Sequence, residues 1–197
     1  MAALHFLQKE YETAWTEYQE LLGKSVIFNI AREEVRILND MANICWIRDE
    51  PDEAHKMYVR GKERAEISGC FTNYWPLLVN LTSFEIQHGD SARALELSKK
   101  LRAFLLQVCL DMSSEKFSFE RKEYCDAAIA IQLKNLWRLY EKYDGEWLLE
   151  NIKELLEKSG ARKMGQVKSE KDVKDAVLRL EPKGTLFDHN GLYLLKD

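Results

Sequence analysis

Met41-Ala42-Asn43-Ile44-Cys45-Trp46-Ile47, then Arg48-Asp49-Glu50-Pro51-Asp52, then Glu53-Ala54-His55-Lys56-Met57-Tyr58-Val59-Arg60-Gly61 is the stretch that decides the fold. Leu38, Met41, Ala42 and Cys45 fall at the spacing of one helical face, and a tight polar turn follows. Ala54, Tyr58 and Gly61, zero, four and seven residues along, then return to one face of a second helix. Ala42, Ala54 and Gly61 lack bulk, so two helices joined by this turn can approach closely, and Tyr58 fills the gap that remains.

The pattern recurs on both sides. Lys9-Glu10-Tyr11-Glu12-Thr13-Ala14 and Gly89-Asp90-Ser91-Ala92-Arg93-Ala94 align with the turn at Asp49, and the closing alanines stand at 14, 54 and 94, a spacing of 40 both times. Four residues after each alanine comes Tyr18, Tyr58 or Ser98, and seven after comes Leu21, Gly61 or Leu101. Leu78 and Leu81 precede the third turn, with Thr82 in the small-residue slot. Three turns in register separate a repeat from an irregular bundle whose period arises by coincidence.

These residues resemble the tetratricopeptide repeat, a helix–turn–helix unit whose helices meet through small side chains. The resemblance runs over roughly residues 1–108 and is best over Leu38–Ala65. It implies an antiparallel helix-hairpin solenoid in which the first helix of each unit lines a concave groove where peptides dock. There are departures: a 40-residue unit is longer than the family's usual one and implies extended helices. Glu85 stands where an aromatic is usual, and His5 holds an aromatic slot in the first unit. The frame also puts Met1 and Ala2 where Met41 and Ala42 sit, in mid-helix. The expectation is that the chain is a piece of a longer array, or that Ala3, Leu4, Phe6 and Leu7 face a second copy.

Beyond the repeats, the apolar spacing predicts a helix over Ser91–Asp111, a break at Met112-Ser113-Ser114, and helices over Glu120–Tyr143 and Trp147–Lys158, closed by Gly160. This pair reads as a degenerate, capping fourth unit. Ser169 suits the N-cap of a short helix reaching Leu180, with Val173, Ala176, Val177 and Leu180 on one face. Thr185-Leu186-Phe187 and Leu192-Tyr193-Leu194 flank Asp188-His189-Asn190-Gly191, a hairpin signal. A helix followed by a hairpin resembles the second half of a winged helix. The expected fold is therefore all-α, a tetratricopeptide-like superhelix over residues 1–160, with a small C-terminal helix plus β-hairpin over 161–197.

Composition agrees and excludes much. Nine Gly and three Pro are too few for the turns of a β-sandwich or barrel. A net charge of −4 gives no general pull toward nucleic acid or anionic lipid. Residues 162–183 carry seven Lys/Arg against four Asp/Glu, but Glu170, Asp172 and Asp175 make that helix a poor reader of DNA. The four cysteines show no C-x-x-C spacing and read as reduced thiols of a cytoplasmic protein. No signal-peptide pattern and no apolar run of ~18 residues calls for a membrane. Phosphate loops, Rossmann glycines, nucleophile elbows and zinc-protease motifs are absent, and His5, His55, His88 and His189 are scattered singly. No catalytic residue, cofactor or metal is expected.

What the resemblance leaves is a groove. In the second unit its stripe comprises Arg36, Asn39, Asn43 and Trp46; in the third, Asn80, Ser83 and Gln87. Asn39 and Asn43 project from one face, and an amide offers the donor and acceptor that match an extended peptide's backbone. Arg36, one turn earlier, suits a carboxylate. The plain alternatives are polar residues on a solvated face, and a Trp46 packed in the inter-repeat core rather than anchoring a ligand. The expected function is a non-catalytic protein- or peptide-binding module, the scaffold or sensory part of a larger regulator. The alternatives are a nucleic-acid-linked regulator using the C-terminal element, and an oligomerisation domain associating through the open first repeat.

Overall fold

In the computed structural model the apolar runs fold as helices: α1 (Ala2–Leu7), α2 (Tyr11–Ile27), α3 (Ala31–Ile47), α4 (Pro51–Ser68), α5 (Tyr74–Gln87), α6 (Ser91–Met112), α7 (Phe119–Tyr143), α8 (Glu146–Lys158) and α9 (Glu170–Leu178). The structure describes residues 1–70, 73–112, 119–158 and 169–180. They form two compact units, Met1–Leu81 and the residues from Thr82 onward.

In the first unit the chain reverses by one device used repeatedly. Lys9, Asn29, Asp49 and Gly69 adopt φ of 62°, 54°, 61° and 66°, so a left-handed residue closes a helix every 20 positions. The first three turns are wired alike. The Lys9 amide donates to the Phe6 carbonyl (3.0 Å) and the Glu10 amide to His5 (2.8 Å); Asn29 donates to Val26 and Ile30 to Ser25; Asp49 donates to Trp46 and Glu50 to Cys45. These paired bonds satisfy carbonyls that a helix end leaves open. The 40-residue repeat is thus two 20-residue half-steps. Pro51 at the start of α4 gives up an amide that has no partner there anyway, and Asp52 and Glu53 favour the same helix end electrostatically.

The repeat's small and aromatic slots hold. Ala14 and Ala54 are fully buried, and Tyr18 and Tyr58 lie beneath them in the core. A Cβ placed on Gly61 would overlap Leu77 Cδ1 and crowd Leu38 Cβ at 3.3 Å, so the close approach of α4 to α3 requires glycine. Ala2, Leu22, Ile37, Leu38, Met41 and Ile44 form one apolar cluster, with Phe6, Trp15 and Met57 packed against it. Each such side chain contributes about 1.5–3 kcal/mol when fully buried. Leu21 departs from its slot and is 38% exposed. Its counterpart Gly61 meets Leu77, Leu38 and Val35.

In the second unit Ala94, Leu97, Leu101 and Leu105 form the buried face of α6, and Leu148, Ile152, Leu155 and Leu156 that of α8. Arg102 of α6 pairs with Glu154 of α8 at 2.7 Å. The turn at Gly89 differs from the others in a way that accounts for Glu85. That carboxylate accepts from the Asp90 amide at 2.9 Å, doing for the turn what a left-handed residue does elsewhere. Asp90 in turn accepts from the Ala92 amide at 2.8 Å and caps α6. A Cβ on Gly89 would run into the Glu85 carboxylate, so the two residues go together. Ser169 caps α9 reciprocally with Asp172, as Ser169 Oγ accepts from the Asp172 amide and Asp172 Oδ2 from the Ser169 amide. Val173, Ala176 and Val177 are buried.

One part of the expected fold class is corrected. The described residues are all-α with no strand among them, and the β-hairpin is not a component of the fold they form. Thr185–Leu194, where it was expected, lies outside the described residues. The physical reason is that two three-residue apolar runs around an Asn-Gly turn supply a local signal only. A lone two-stranded ribbon is marginal in water without a further layer to cover it.

Candidate functional site

Helix α3 is buried from Glu34 to Trp46 with Arg36 alone half-exposed, so its polar residues face protein rather than solvent. They are joined in a chain. Arg36 reaches Glu33 through Nη2 (2.9 Å) and Asp40 through Nη1 (3.2 Å). The Asp40 carboxylate also takes hydrogen bonds from the Tyr18 hydroxyl of α2 and from Asn39 Nδ2 at 3.4 Å. Asn80 of α5 donates to Asn39 Oδ1 at 3.0 Å and lies 3.5 Å from Asn43 Oδ1. Tyr58 of α4 donates to that same Asn43 oxygen at 2.5 Å. The Asn43 Nδ2 group is buried and has no hydrogen-bond partner among the described residues.

The electrostatics follow from burial. Desolvation pushes the Asp40 carboxyl up to about 6, against the opposing pull of Arg36 and of the Tyr18 and Asn39 hydrogen bonds. The Tyr18 phenol rises well above its ordinary range, first through burial and then through Asp40 beside it. Burial works against the Arg36 guanidinium, but Asp40 and Glu33 outweigh it and hold its pKa above the usual value.

The expected site residues are therefore placed as follows. Arg36, Asn39, Asn43 and Asn80 come together in the first unit, and only Arg36 reaches solvent. Trp46 is buried, its ring edge-on to Tyr58 at 6.5 Å. Ser83 and Gln87 belong to the second unit, where Ser83 Oγ accepts from Asn135 Nδ2 at 2.9 Å and Gln87 is half-buried. Sequence reasoning passed over Tyr18, Asp40 and Tyr58 as members of the polar chain. A signal existed: Asp40 and Asn80 are 40 apart, and Asn80 interrupts the apolar run Trp75–Leu81. A helix apolar all round is buried, so polar groups on it must be paired internally.

The slot that follows each alanine by four residues carries a hydroxyl in all three units, and each hydroxyl bonds to a buried polar side chain. Tyr18 meets Asp40, Tyr58 meets Asn43, and Ser98 accepts from Gln132 Nε2 at 3.1 Å. Such groups hold the helices to one another by hydrogen bonding. Among the described residues no group of three or more His, Cys, Asp or Glu is placed to hold a metal ion, and Cys45 and Cys70 are free thiols. No helix among them is long and apolar enough to cross a membrane. Lys174 of α9 pairs with Glu141 at 3.1 Å and lies over the Trp137 ring. Comparison with protein-family models, curated proteins and solved structures found no match, so what stands is a repeating helix-hairpin pattern of the solenoid kind.

Proposed function

We propose that the chain is a non-catalytic helical-repeat module of tetratricopeptide type that binds a protein or an extended peptide, as the scaffold or sensory part of a larger regulatory protein. The observation that carries this reading is the polar chain on α3, which ends at the solvent in Arg36. A carboxylate on the partner reaches the exposed part of Arg36 by displacing Glu33, the more exposed of the two carboxylates that hold its fork. Asn39, Asn43 and Asn80 are buried and hold the helices behind it in place.

The test is a peptide array probed with the full chain as wild type, Arg36→Ala and Asn43→Ala. Loss of acidic peptides in Arg36→Ala, with helical content retained, supports the reading. Unchanged capture by both variants, each still folded, overturns it.

A further inference from the structure

The edge of the first unit where α2 and α4 end carries apolar side chains that the fold does not cover. Ile27 is 78% exposed, Phe28 70% and Ile67 82%, with Val26 and Ile30 beside them. Ile27 and Ile67 are 40 residues apart, so they occupy one position in successive repeats. A long side chain bridges the two helix ends. Arg64, one turn before Ile67, reaches the α2–α3 turn through Nη2 to Asn29 Oδ1 at 2.6 Å and grips Glu34 at 2.8 and 3.0 Å.

Most charges around this ridge are neutralised within the chain, and the exposed Glu63 and Arg32 beside it are of opposite sign. Lys24 pairs with Glu20 at 2.5 Å, Lys62 with Glu66 at 3.1 Å, and Arg64 with Glu34. A partner seated here strands none of these charges, and the ridge has little field with which to select an oppositely charged one. Five such side chains offer on the order of 500 Å² of apolar surface, more than scattered surface residues account for. Two ridges face to face would bury on the order of 1,000 Å², the lower bound of a specific interface.

We infer that the Ile27–Phe28–Ile67 ridge is a homotypic interface through which two copies of this chain pair about a two-fold axis. Two equal side chains at a repeated spacing are their own complement under such an axis: Ile27 of one copy meets Ile67 of the other, and the reverse. The interface is apolar, so it persists in molar salt, where an association steered by net charge would change.

Sedimentation equilibrium of the full chain, over a hundredfold range of concentration and at low and molar salt, tests this. The expected result is a monomer–dimer equilibrium indifferent to salt. Ile27→Ser and Ile67→Ser should each weaken it by about a hundredfold, because each lost contact occurs twice in the dimer, while helical content and melting stay unchanged. Chains carrying Ile27→Cys should cross-link under mild oxidation to chains carrying Ile67→Cys. A monomer at every concentration overturns the inference. So does a dimer that survives both serine variants and is lost instead in Leu4→Ser.

Discussion

Asp40 makes stability depend on pH in an unusual direction. Its side chain is 8% exposed, and burial lifts its pKa from 3.8 to about 6. The folded chain therefore holds the Asp40 proton more tightly than the unfolded chain does. Where that is so, stability falls as pH rises through the interval between the two values, here from about 4 to about 6, and is lower by a constant amount above it. The displacement is worth roughly 3 kcal/mol at most. Asp40→Asn keeps the shape and one acceptor oxygen but cannot ionise. The pull of Arg36 on the ionised carboxylate is already contained in that displacement, and the guanidinium keeps Glu33 at 2.9 Å. The variant should be more stable than wild type at pH 7 by about 1–2 kcal/mol and lose that advantage by pH 4. Urea unfolding of both proteins from pH 4 to 8 reads the difference, in which other carboxylates cancel. A difference that is flat with pH, or that favours wild type at pH 7, would refute the assignment of the buried charge to Asp40.

Two further substitutions probe the repeat's geometry. Gly61→Ala gains about 1 kcal/mol of helix propensity but forces a methyl onto Leu77 Cδ1 and Leu38 Cβ, an overlap that costs 1–3 kcal/mol, so the melting temperature should fall; a rise would mean that α3 and α4 are not in close contact. Asp49→Gly relieves a left-handed backbone at φ 61°, worth about 1–2 kcal/mol less the greater freedom of glycine when unfolded, so a gain of about 0.5–1 kcal/mol in chemical denaturation is expected. A loss there would show that the Asp49 side chain does something for the turn.

What was legible was whatever a single residue decides. Ala14, Ala54 and Gly61 could be read because a slot too narrow for any other side chain leaves its mark in the letter itself. Tyr18 and Tyr58 could be placed because the slot beside a small residue must be filled. The left-handed turns were only partly visible: Gly69 announces one, Asn29 and Asp49 are types that tolerate it, and Lys9 carries the same φ with no compositional sign. The polar stripe was visible but not its environment. A period of four places Asn39 and Asn43 on one face, and nothing in that period separates a face turned to water from one turned to Asn80 and Tyr58. Only the apolar surroundings of Asn80 in α5 carry that distinction. Glu85 looked like a defect in the pattern because its role is met by Asp90 and Gly89, further along the chain.

Buried polar chains are a costly way to hold helices together, since an apolar core of the same volume would serve stability as well or better. Their value lies in register. Hairpins that share a 40-residue period and the same small slots have apolar faces alike enough to stack in a wrong order with little penalty. The hydroxyl partners differ from unit to unit: Tyr18 requires Asp40, Tyr58 requires Asn43, and Ser98 requires Gln132. Tyr58 and Asn43 lie within one hairpin, but Tyr18–Asp40 and Ser98–Gln132 join successive ones. A mis-stacked hairpin would leave those groups buried without partners, at about 1–3 kcal/mol apiece and more for Asp40 when ionised. The two pairs that cross between hairpins thus set the native order apart from its neighbours by several kcal/mol, a sizeable part of the stability of a domain this size. The apolar slots build the hairpins, and the polar slots decide which hairpin follows which.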